Sequence, residues 1–199
     1  MRGLFVTFEG IDRSGKTTQA RLLTEALGSD ALGVREPGGT EAGERIRGLL
    51  KDPALELGAG AELLLFNAAR AELAEQVIAP AREAGRDIVC DRYIDSTVAY
   101  QGVARELGIE LVEQLNSLVV GDCIPDLTIL LRVEPALAAA RRGDGDDRFE
   151  SEGVEFQRRV AAAYDEIAAR HPDRFAVVDA TGEPEEVHAQ ILRLVEERR

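Results

Sequence analysis

The sequence feature that most constrains the fold is a glycine-rich stretch near the start of the chain, Gly10-Ile11-Asp12-Arg13-Ser14-Gly15-Lys16-Thr17. It fits the pattern G-x-x-x-x-G-K-[ST], follows an apolar run at residues 4–8, and precedes helical spacing of Ala20, Leu23 and Leu27. In a strand, glycine turn and helix of this kind, backbone N–H groups and the helix N-terminus face phosphate oxygens. The stretch therefore predicts a phosphate-binding loop.

Two side chains of the motif have expected roles at such a site. Lys16 would reach the outer phosphates of a nucleoside triphosphate, and the Thr17 hydroxyl could hold Mg²⁺. Nucleotide binding is predicted for the loop and the first helical residues: Gly10, Ile11, Asp12, Arg13, Ser14, Gly15, Lys16, Thr17 and Thr18.

Composition narrows the class of protein. A chain of 199 residues with 45% apolar residues is typical of one α/β domain, and a net charge of −13 argues against nucleic-acid or anionic-membrane partners. The chain has no run long enough to span a bilayer and no signal-peptide layout, so we expect a cytoplasmic location. Cys90 and Cys123 lack metal-ligand spacing and are expected to be small buried hydrophobes.

Apolar runs alternate with helical patterns along the rest of the chain. Further strands are predicted at residues 33–35, 87–91, 127–133 and 175–178, and a long helix at 61–84 is expected to be interrupted by Pro80. This alternation predicts an α/β fold with a five-stranded parallel sheet and helices on both faces. Ligands of such sheets bind at the carboxyl ends of the strands.

Charged residues follow several of these predicted strands. Arg35 and Glu36 follow the second strand, and Asp91 and Arg92 follow the third, so all should approach the phosphate loop. An acid in this position commonly orders Mg²⁺, which makes Asp91 the first candidate and Glu36 the second. The alternative interpretation of either acid is a helix N-cap or an ion pair.

Two helical spacings are typical of a site for a flat base. Phe66 and Arg70 are four residues apart, and Thr97, Tyr100 and Gln101 follow i, i+3, i+4 spacing. The alternative interpretation places Phe66 in the core and Arg70 on the surface.

Together these motifs resemble the thymidylate kinases, the ATP-dependent dTMP kinases among the P-loop nucleoside monophosphate kinases. The resemblance covers essentially the whole chain and rests on Phe8-Glu9-Gly10, Arg35-Glu36-Pro37-Gly38-Gly39 with Arg47, Phe66-x-x-x-Arg70, and Asp91-Arg92-Tyr93-x-x-Ser96-Thr97-x-Ala99-Tyr100-Gln101-Gly102. It implies a P-loop NTPase fold in a single domain over residues 1–199, with a short lid at about 141–150. It also implies ATP and dTMP as substrates, Mg²⁺ as cofactor and a homodimer.

The resemblance further implies residue roles. Phe66 would stack on thymine, while Arg70, Thr97 and Gln101 would hydrogen-bond its edge. Other residues expected on the substrate side are Asp12 and Tyr100 near the deoxyribose, Arg47 and Arg92 at the acceptor phosphate, and Glu36, Pro37 and Ser96 around them.

Phosphoryl transfer to a phosphate monoester needs no general base, because the acceptor is already largely anionic near neutral pH. No role is therefore expected for His171 or His188. Catalysis would rest on positioning and on charge neutralisation by Mg²⁺, Lys16 and arginine. The residues expected to act on the reacting groups are Lys16, Arg13, Asp91, Arg92 and Arg148.

The family pattern does not decide which arginine neutralises negative charge on the transferring phosphoryl group. Arg13 lies in the phosphate loop and is our first candidate, with Arg148 and Arg142 as lid candidates, Arg142 also contacting the nucleotide. The alternative interpretation of this glycine-containing segment is a solvated loop.

Three other functions are compatible with a phosphate loop. The first is a kinase for another monophosphate, and the second is a nucleotide-binding regulator without turnover. The third is a GTP-binding switch, which would need an Asn-Lys-x-Asp element; Asn67 and Asn116 are followed by Ala68 and Ser117, so the sequence argues against it.

Overall fold

Five parallel strands form the sheet in the computed structural model, which describes residues 2–141 and 153–199. Their spatial order is β2-β3-β1-β4-β5. The strands are β1 (Phe5–Glu9), β2 (Leu32–Arg35), β3 (Ile88–Asp91), β4 (Leu127–Arg132) and β5 (Phe175–Asp179). The prediction of a five-stranded parallel sheet is confirmed.

Helices connect the strands and cover the sheet. Within the described residues they are α1 (Lys16–Leu27), α2 (Glu41–Lys51), α3 (Ala59–Leu73), α4 (Ala79–Glu83), α5 (Ile94–Thr97), α6 (Ile109–Val120), α7 (Pro135–Ala140), α8 (Gly153–Arg170) and α9 (Pro184–Glu196). The described part of the chain also has two π-helical segments, Ala74–Ile78 between α3 and α4, and Val98–Ala104 after α5.

The predicted long helix is continuous in direction but changes its winding before Pro80. Proline has no N–H, and its ring clashes with the carbonyl of the residue four positions earlier, which here is Gln76. The structure places Gln76 inside the π-helical segment, where a wider turn separates these groups. Proline therefore interrupts the regular α-helix without ending the helical segment.

Side chains alternate between the two faces of the sheet and bury both. On one face Val6, Phe8 and Val89 lie in the same apolar cluster as Leu23 of α1. On the other, Phe5, Ile88 and Cys90 form a second cluster with Leu73 and Ile78. Helices therefore pack on both faces, as predicted.

The central position of β1 determines where the chemistry can take place. Strand β1 lies between β3 and β4, with Phe8 opposite Asp91, and Asp91 is in turn opposite Arg35 of β2. The ends of β1, β2 and β3 therefore deliver their following residues to one edge of the sheet.

Two further observations concern predicted features. Within the two described ranges, no helix is both long and apolar enough to cross a membrane. The predicted lid at about 141–150 falls, except for Arg141, outside the described residues, as do the lid candidates Arg142 and Arg148.

Candidate active site

A cavity of about 990 Å³ opens at the carboxyl ends of the strands. Most of the predicted site residues line it: Asp12, Arg13, Ser14, Gly15, Lys16, Thr17, Thr18, Glu36, Pro37, Arg47, Phe66, Asp91, Arg92, Ser96, Thr97, Tyr100 and Gln101. Gly10, Ile11 and Arg70 do not line it. The two faces predicted for base binding and the phosphate loop therefore meet at one cavity.

The phosphate loop depends on a close backbone approach at Gly10. Its φ is +140°, and a Cβ there would lie 2.6 Å from the carbonyl oxygen of Leu131. A larger residue would be strained by its conformation and would also clash with β4.

Lys16 begins α1 and is buried beneath the loop. Its Nζ donates to the Ile11 carbonyl at 2.6 Å and to Ser14 Oγ at 3.3 Å. Burial, together with the charge of Arg92, lowers the pKa of Lys16 to about 8. The ammonium group lies inside the curve of the loop, where phosphate oxygens are expected.

Thr17 and Asp91 lie side by side, which joins the start of α1 to the end of β3. The Thr17 hydroxyl donates to Asp91 Oδ2 at 2.6 Å. A hydroxyl and a carboxylate are the hard oxygen ligands that Mg²⁺ prefers, usually together with substrate phosphates. These two residues therefore fit the predicted metal site.

Asp12 connects the phosphate loop to three other parts of the protein. Its carboxylate pairs with Arg92, and it accepts from the Tyr100 hydroxyl at 3.1 Å and from Gln157 Nε2 at 2.8 Å. Burial alone would raise the pKa of Asp12, but the charges of Arg92 and Lys16 outweigh it and the pKa is lowered. Asp12 is therefore ionised at neutral pH.

Sequence reasoning missed Gln157. The Asp12 amide donates to Gln157 Oε1 at 3.3 Å, so both ends of this side chain bind Asp12. A single glutamine 145 residues away on α8 carries no local pattern that could have identified it.

Arg92 follows β3 with a backbone φ of +70°, in the left-handed region that few non-glycine residues adopt. Besides Asp12, its guanidinium donates to the Gly10 carbonyl at 3.2 Å and approaches Ser96 Oγ at 3.4 Å. It also lies 5.3 Å from the centroid of the Tyr100 ring. Arg92 is thus fixed next to the phosphate loop and faces the cavity.

Arg70 forms a buried ion pair with Glu36, and both side chains are less than 4% exposed. Its Nε and Nη2 donate to Glu36, and its other N–H groups reach Tyr93 O, Thr97 Oγ1 and Asn116 Oδ1, so all five are engaged. The alternative interpretation that placed Arg70 on the surface is wrong. A hydrogen bond from Arg70 to a base stays a prediction. Because all five N–H groups are engaged, one of them would have to be shared between its present acceptor and the base.

Glu36 forms an ion pair. An ion pair and a helix N-cap were the alternatives to a metal role for this residue in the sequence analysis. Both carboxylate oxygens accept from Arg70, at 2.6–3.1 Å. Burial opposes the charge of Arg70, but the adjacent Glu36 carboxylate outweighs it and raises the pKa of Arg70. A metal role for Glu36 would require this pair to open.

At the predicted base end of the cavity, Phe66 is half-buried and presents its ring to the space. Gln101 is held by a 2.6 Å bond from its Nε2 to Glu62 Oε1, a buried acid that sequence reasoning did not identify. This contact fixes the orientation of the Gln101 amide.

Arg47 and Arg13 line the same cavity, and the guanidinium group of each donates a hydrogen bond to a backbone carbonyl. Arg47 Nη1 donates to the Pro37 carbonyl at 2.9 Å. Arg13 has a left-handed backbone, with φ of +62°, and its Nη1 is 3.5 Å from the Arg141 carbonyl.

Another part of the cavity is lined by residues that the sequence did not assign to the site: Gln19, the loop at residues 180–184, and Val187. Arg141, the one described residue of the predicted lid, lines the cavity as well. Arg141 donates to the Ala180 carbonyl at 2.7 Å and to the Arg13 carbonyl at 3.1 Å, and Gln19 donates to the Pro184 carbonyl at 2.8 Å. These bonds tie the loop after β5 to the phosphate loop and α1.

Comparison with protein families gives one match over most of the chain. A family model described as thymidylate kinase matches residues 8–191. A thymidylate kinase from Pelotomaculum thermopropionicum is 45% identical, over 99% of this chain and 94% of the relative. A thymidylate kinase from Deinococcus radiodurans is also 45% identical, over 99% of this chain and 98% of the relative.

A solved structure agrees with these relatives. The crystal structure of thymidylate kinase from Ehrlichia chaffeensis superposes with a TM-score of 0.82 at 35% identity. The match covers 98% of this chain and 100% of that structure.

Proposed function

Because this chain belongs to the thymidylate kinase family, we propose that the cavity at the strand ends is where it acts on both of its substrates. The protein transfers the γ-phosphoryl group of ATP to dTMP, giving ADP and dTDP. The observation that carries the assignment of the cavity is the contact between Asp12 of the phosphate loop and Arg92 of the turn after β3. It joins the two halves of a two-substrate site within one cavity.

On the donor side, the phosphate loop and Lys16 bind the ATP phosphates. Lys16 exchanges its bonds to Ile11 and Ser14 for phosphate oxygens. The end of the cavity formed by Gln19, Arg141 and residues 180–184 holds the donor base. Support for this comes from the bonds that tie Arg141 to the phosphate loop and Gln19 of α1 to Pro184, and from the strand order, in which β5 lies on the opposite side of β1 from β2 and β3.

On the acceptor side, Phe66 stacks on thymine, while Thr97 and Gln101 face its polar edge. Arg92 and Arg47 hold the acceptor phosphate, and Glu36, Pro37 and Ser96 shape the walls around it. Asp12 and Tyr100 lie by the deoxyribose, where the Tyr100 ring leaves little room for a 2′-hydroxyl. The support is the strand order: Glu36, Pro37 and Arg92 follow β2 and β3, which lie on the opposite side of β1 from β5 and the loop that follows it.

Thr17 and Asp91 would hold Mg²⁺, since their oxygens meet at the mouth of the phosphate loop. When bound, the ion neutralises charge on the phosphates it touches. The protein itself positions the acceptor phosphate in line with the γ-phosphoryl group and needs no base to accept a proton. Arg13 supplies positive charge to the transferring group, and Arg142 and Arg148, outside the described residues, are the other candidates.

The reaction can be followed as ADP release with ATP, Mg²⁺ and a panel of nucleoside monophosphates. We expect dTMP to have the highest kcat/KM, with some turnover of dUMP, because one methyl group is worth only about 1–3 kcal/mol in a pocket. A higher kcat/KM for another monophosphate would refute the pocket assignment.

Lys16→Ala tests the donor assignment. Loss of one charge-stabilising group of this kind lowers kcat by roughly 10²–10³-fold. Arg21→Ala is the matched control, because Arg21 is an exposed cation on the same helix. An unchanged kcat in Lys16→Ala would leave a nucleotide-binding regulator as the better interpretation.

We also propose a homodimer that pairs through α3 and α6. These helices pack against each other, and Leu64, Leu111 and Leu118 are exposed by 60%, 56% and 81%. Leu118→Lys should shift the sedimentation coefficient from dimer to monomer. Leu137→Lys on α7 serves as control and should leave it unchanged.

A further inference from the structure

Glu9 is a fully buried acid at the end of β1, immediately before the phosphate loop. It does not line the cavity, and no substrate contact is assigned to it. Nevertheless its carboxylate is bound on both oxygens. The Tyr93 and Ser96 amides donate to Oε1 at 2.8 and 3.2 Å, and the Ser96 and Tyr164 hydroxyls donate to Oε2 at 2.6 and 2.8 Å.

Three of these four donors belong to Tyr93 and Ser96, which follow Arg92 in the chain, and the fourth is on α8. The Arg92 backbone is in the left-handed region, a conformation that costs energy and persists only where the surroundings hold it. The Arg92 amide donates to the Phe8 carbonyl at 3.0 Å, and the next amide, that of Tyr93, donates to Glu9. Strand β1 therefore holds the strained turn at two consecutive residues.

Ser96 transmits the same restraint to the arginine side chain. A hydroxyl has a single proton, and the shorter of the Ser96 contacts sends that proton to Glu9. The oxygen lone pairs are then directed elsewhere, and Arg92 Nη1 approaches them at 3.4 Å. Glu9 thus influences both the backbone and the guanidinium of Arg92.

We propose that Glu9 is a positioning residue that holds the turn between β3 and α5 so that Arg92 meets the acceptor phosphate. The inference rests on the acceptor role of Arg92 given above. It predicts that a change at Glu9 weakens use of the acceptor and leaves use of the donor unchanged, because the contacts of Glu9 lie in the Arg92 turn and in α8.

Glu9→Gln is the direct test, because glutamine keeps the shape but can accept on only one of its two terminal atoms. We expect kcat/KM for dTMP to fall by roughly 10-fold or more at about pH 8, where the Glu9 carboxyl, whose pKa burial raises to about 7, is mostly ionised. A hydrogen bond to a charged group is worth about 1.5–3 kcal/mol, and about 1.4 kcal/mol is one factor of ten. KM for ATP should stay within about twofold of wild type, a margin well inside that factor of ten.

Thr7→Val is the matched control. Thr7 is also fully buried, lies two residues earlier on the same face of β1, and bonds Thr128 instead of the Arg92 turn. Thermal unfolding measures the loss of stability in both variants, and Thr7→Val should leave KM for dTMP unchanged. A merely structural role for Glu9 predicts the same kinetic behaviour in both variants.

Tyr164→Phe keeps the inference testable if Glu9→Gln does not fold. It removes one donor to Glu9 and keeps the ring, so kcat/KM for dTMP should fall in the same direction by a smaller factor. The inference is overturned if folded Glu9→Gln uses dTMP as well as wild type does, or if KM for ATP rises as much as KM for dTMP. A wild-type protein inactive on dTMP would instead overturn the proposed acceptor.

Discussion

The buried pair between Glu36 and Arg70 gives the sharpest prediction of stability. Glu36→Gln replaces the carboxylate by a neutral group of the same shape and leaves the Arg70 charge in a site that is 1% exposed. Removing one partner of a buried pair is far more costly than replacing both, because the remaining charge stays desolvated.

The expected magnitude follows from the contacts that are lost. Arg70 makes three of its short N–O contacts to Glu36, and the other contacts go to neutral groups. Breaking such a pair costs about 3–5 kcal/mol, and glutamine retains one acceptor, so we expect about 3 kcal/mol. With a urea m-value of about 2 kcal/mol/M, the unfolding midpoint should fall by about 1.5 M.

Urea unfolding followed by far-ultraviolet circular dichroism at pH 7.5 measures this change. Glu41→Gln is the matched control, because it neutralises an acid of an exposed pair with Arg45 and should leave the midpoint unchanged. The double variant Glu36→Gln with Arg70→Met should recover part of the loss. A midpoint shift below about 0.5 M for Glu36→Gln would refute the reasoning, since the m-value makes that only about 1 kcal/mol.

The same variant separates the two interpretations of Glu36. If Glu36 serves the ion pair, the Mg²⁺ concentration for half-maximal rate should be that of wild type, measured where the variant remains folded. A markedly higher requirement for Mg²⁺ would instead support the metal role.

Three further predictions concern the donor and sugar sites. Burial lowers the pKa of Lys16 to about 8, so in the free enzyme its charge is lost above that pH and kcat/KM for ATP should fall there. At saturating ATP, kcat should hold, because the phosphates of bound ATP keep Lys16 charged; a flat kcat/KM to about pH 9.5 would contradict this. Thr17→Val should raise the Mg²⁺ requirement at least roughly 10-fold, as loss of even outer partners of a metal site does, while an unchanged magnesium titration would exclude Thr17 as a ligand. Tyr100→Ala should lower the ratio of kcat/KM for dTMP to kcat/KM for its ribonucleotide by about 10-fold, which is the lower end of the discrimination that one group in a pocket supplies. Tyr100→Phe keeps the ring and should preserve this ratio.

Much of the fold follows from local patterns. All five strands lie within one or two residues of the predicted bounds. For β1, β3 and β4 the reason is that buried parallel strands are nearly continuous apolar segments. The strand, loop and helix context predicted that Lys16 and Thr17 lie at the phosphate site. The rule that ligands bind at strand ends predicted Asp91 near them, and Thr17 does contact Asp91. Helical spacing likewise groups four residues of α8 on one face, and all four are buried: Phe156, Val160, Tyr164 and Ile167.

The partners of the site residues were less accessible to sequence reasoning. Arg70 has the spacing of a ligand-binding residue, but its partner Glu36 is 34 positions away and was assigned separately. Gln157 and the loop at residues 180–184 lie at the site because of the tertiary arrangement of strands and helices, which no local sequence pattern shows. Glu9 offered one signal, an acid at the end of a fully buried strand, but its donors could be identified only from the structure of the turn after β3.

The central position of β1 also bears on how the protein is made. Strand β1 precedes both of its neighbours in the chain, and Phe5 pairs beside Ile88 and Val6 beside Leu127. The edge of β1 that meets β3 therefore stays open until Ile88 has been synthesised, and the edge that meets β4 stays open until Leu127 has been synthesised; closing such long loops slows folding. The strand that leads into the phosphate loop gains its second neighbour only after β4 has been made.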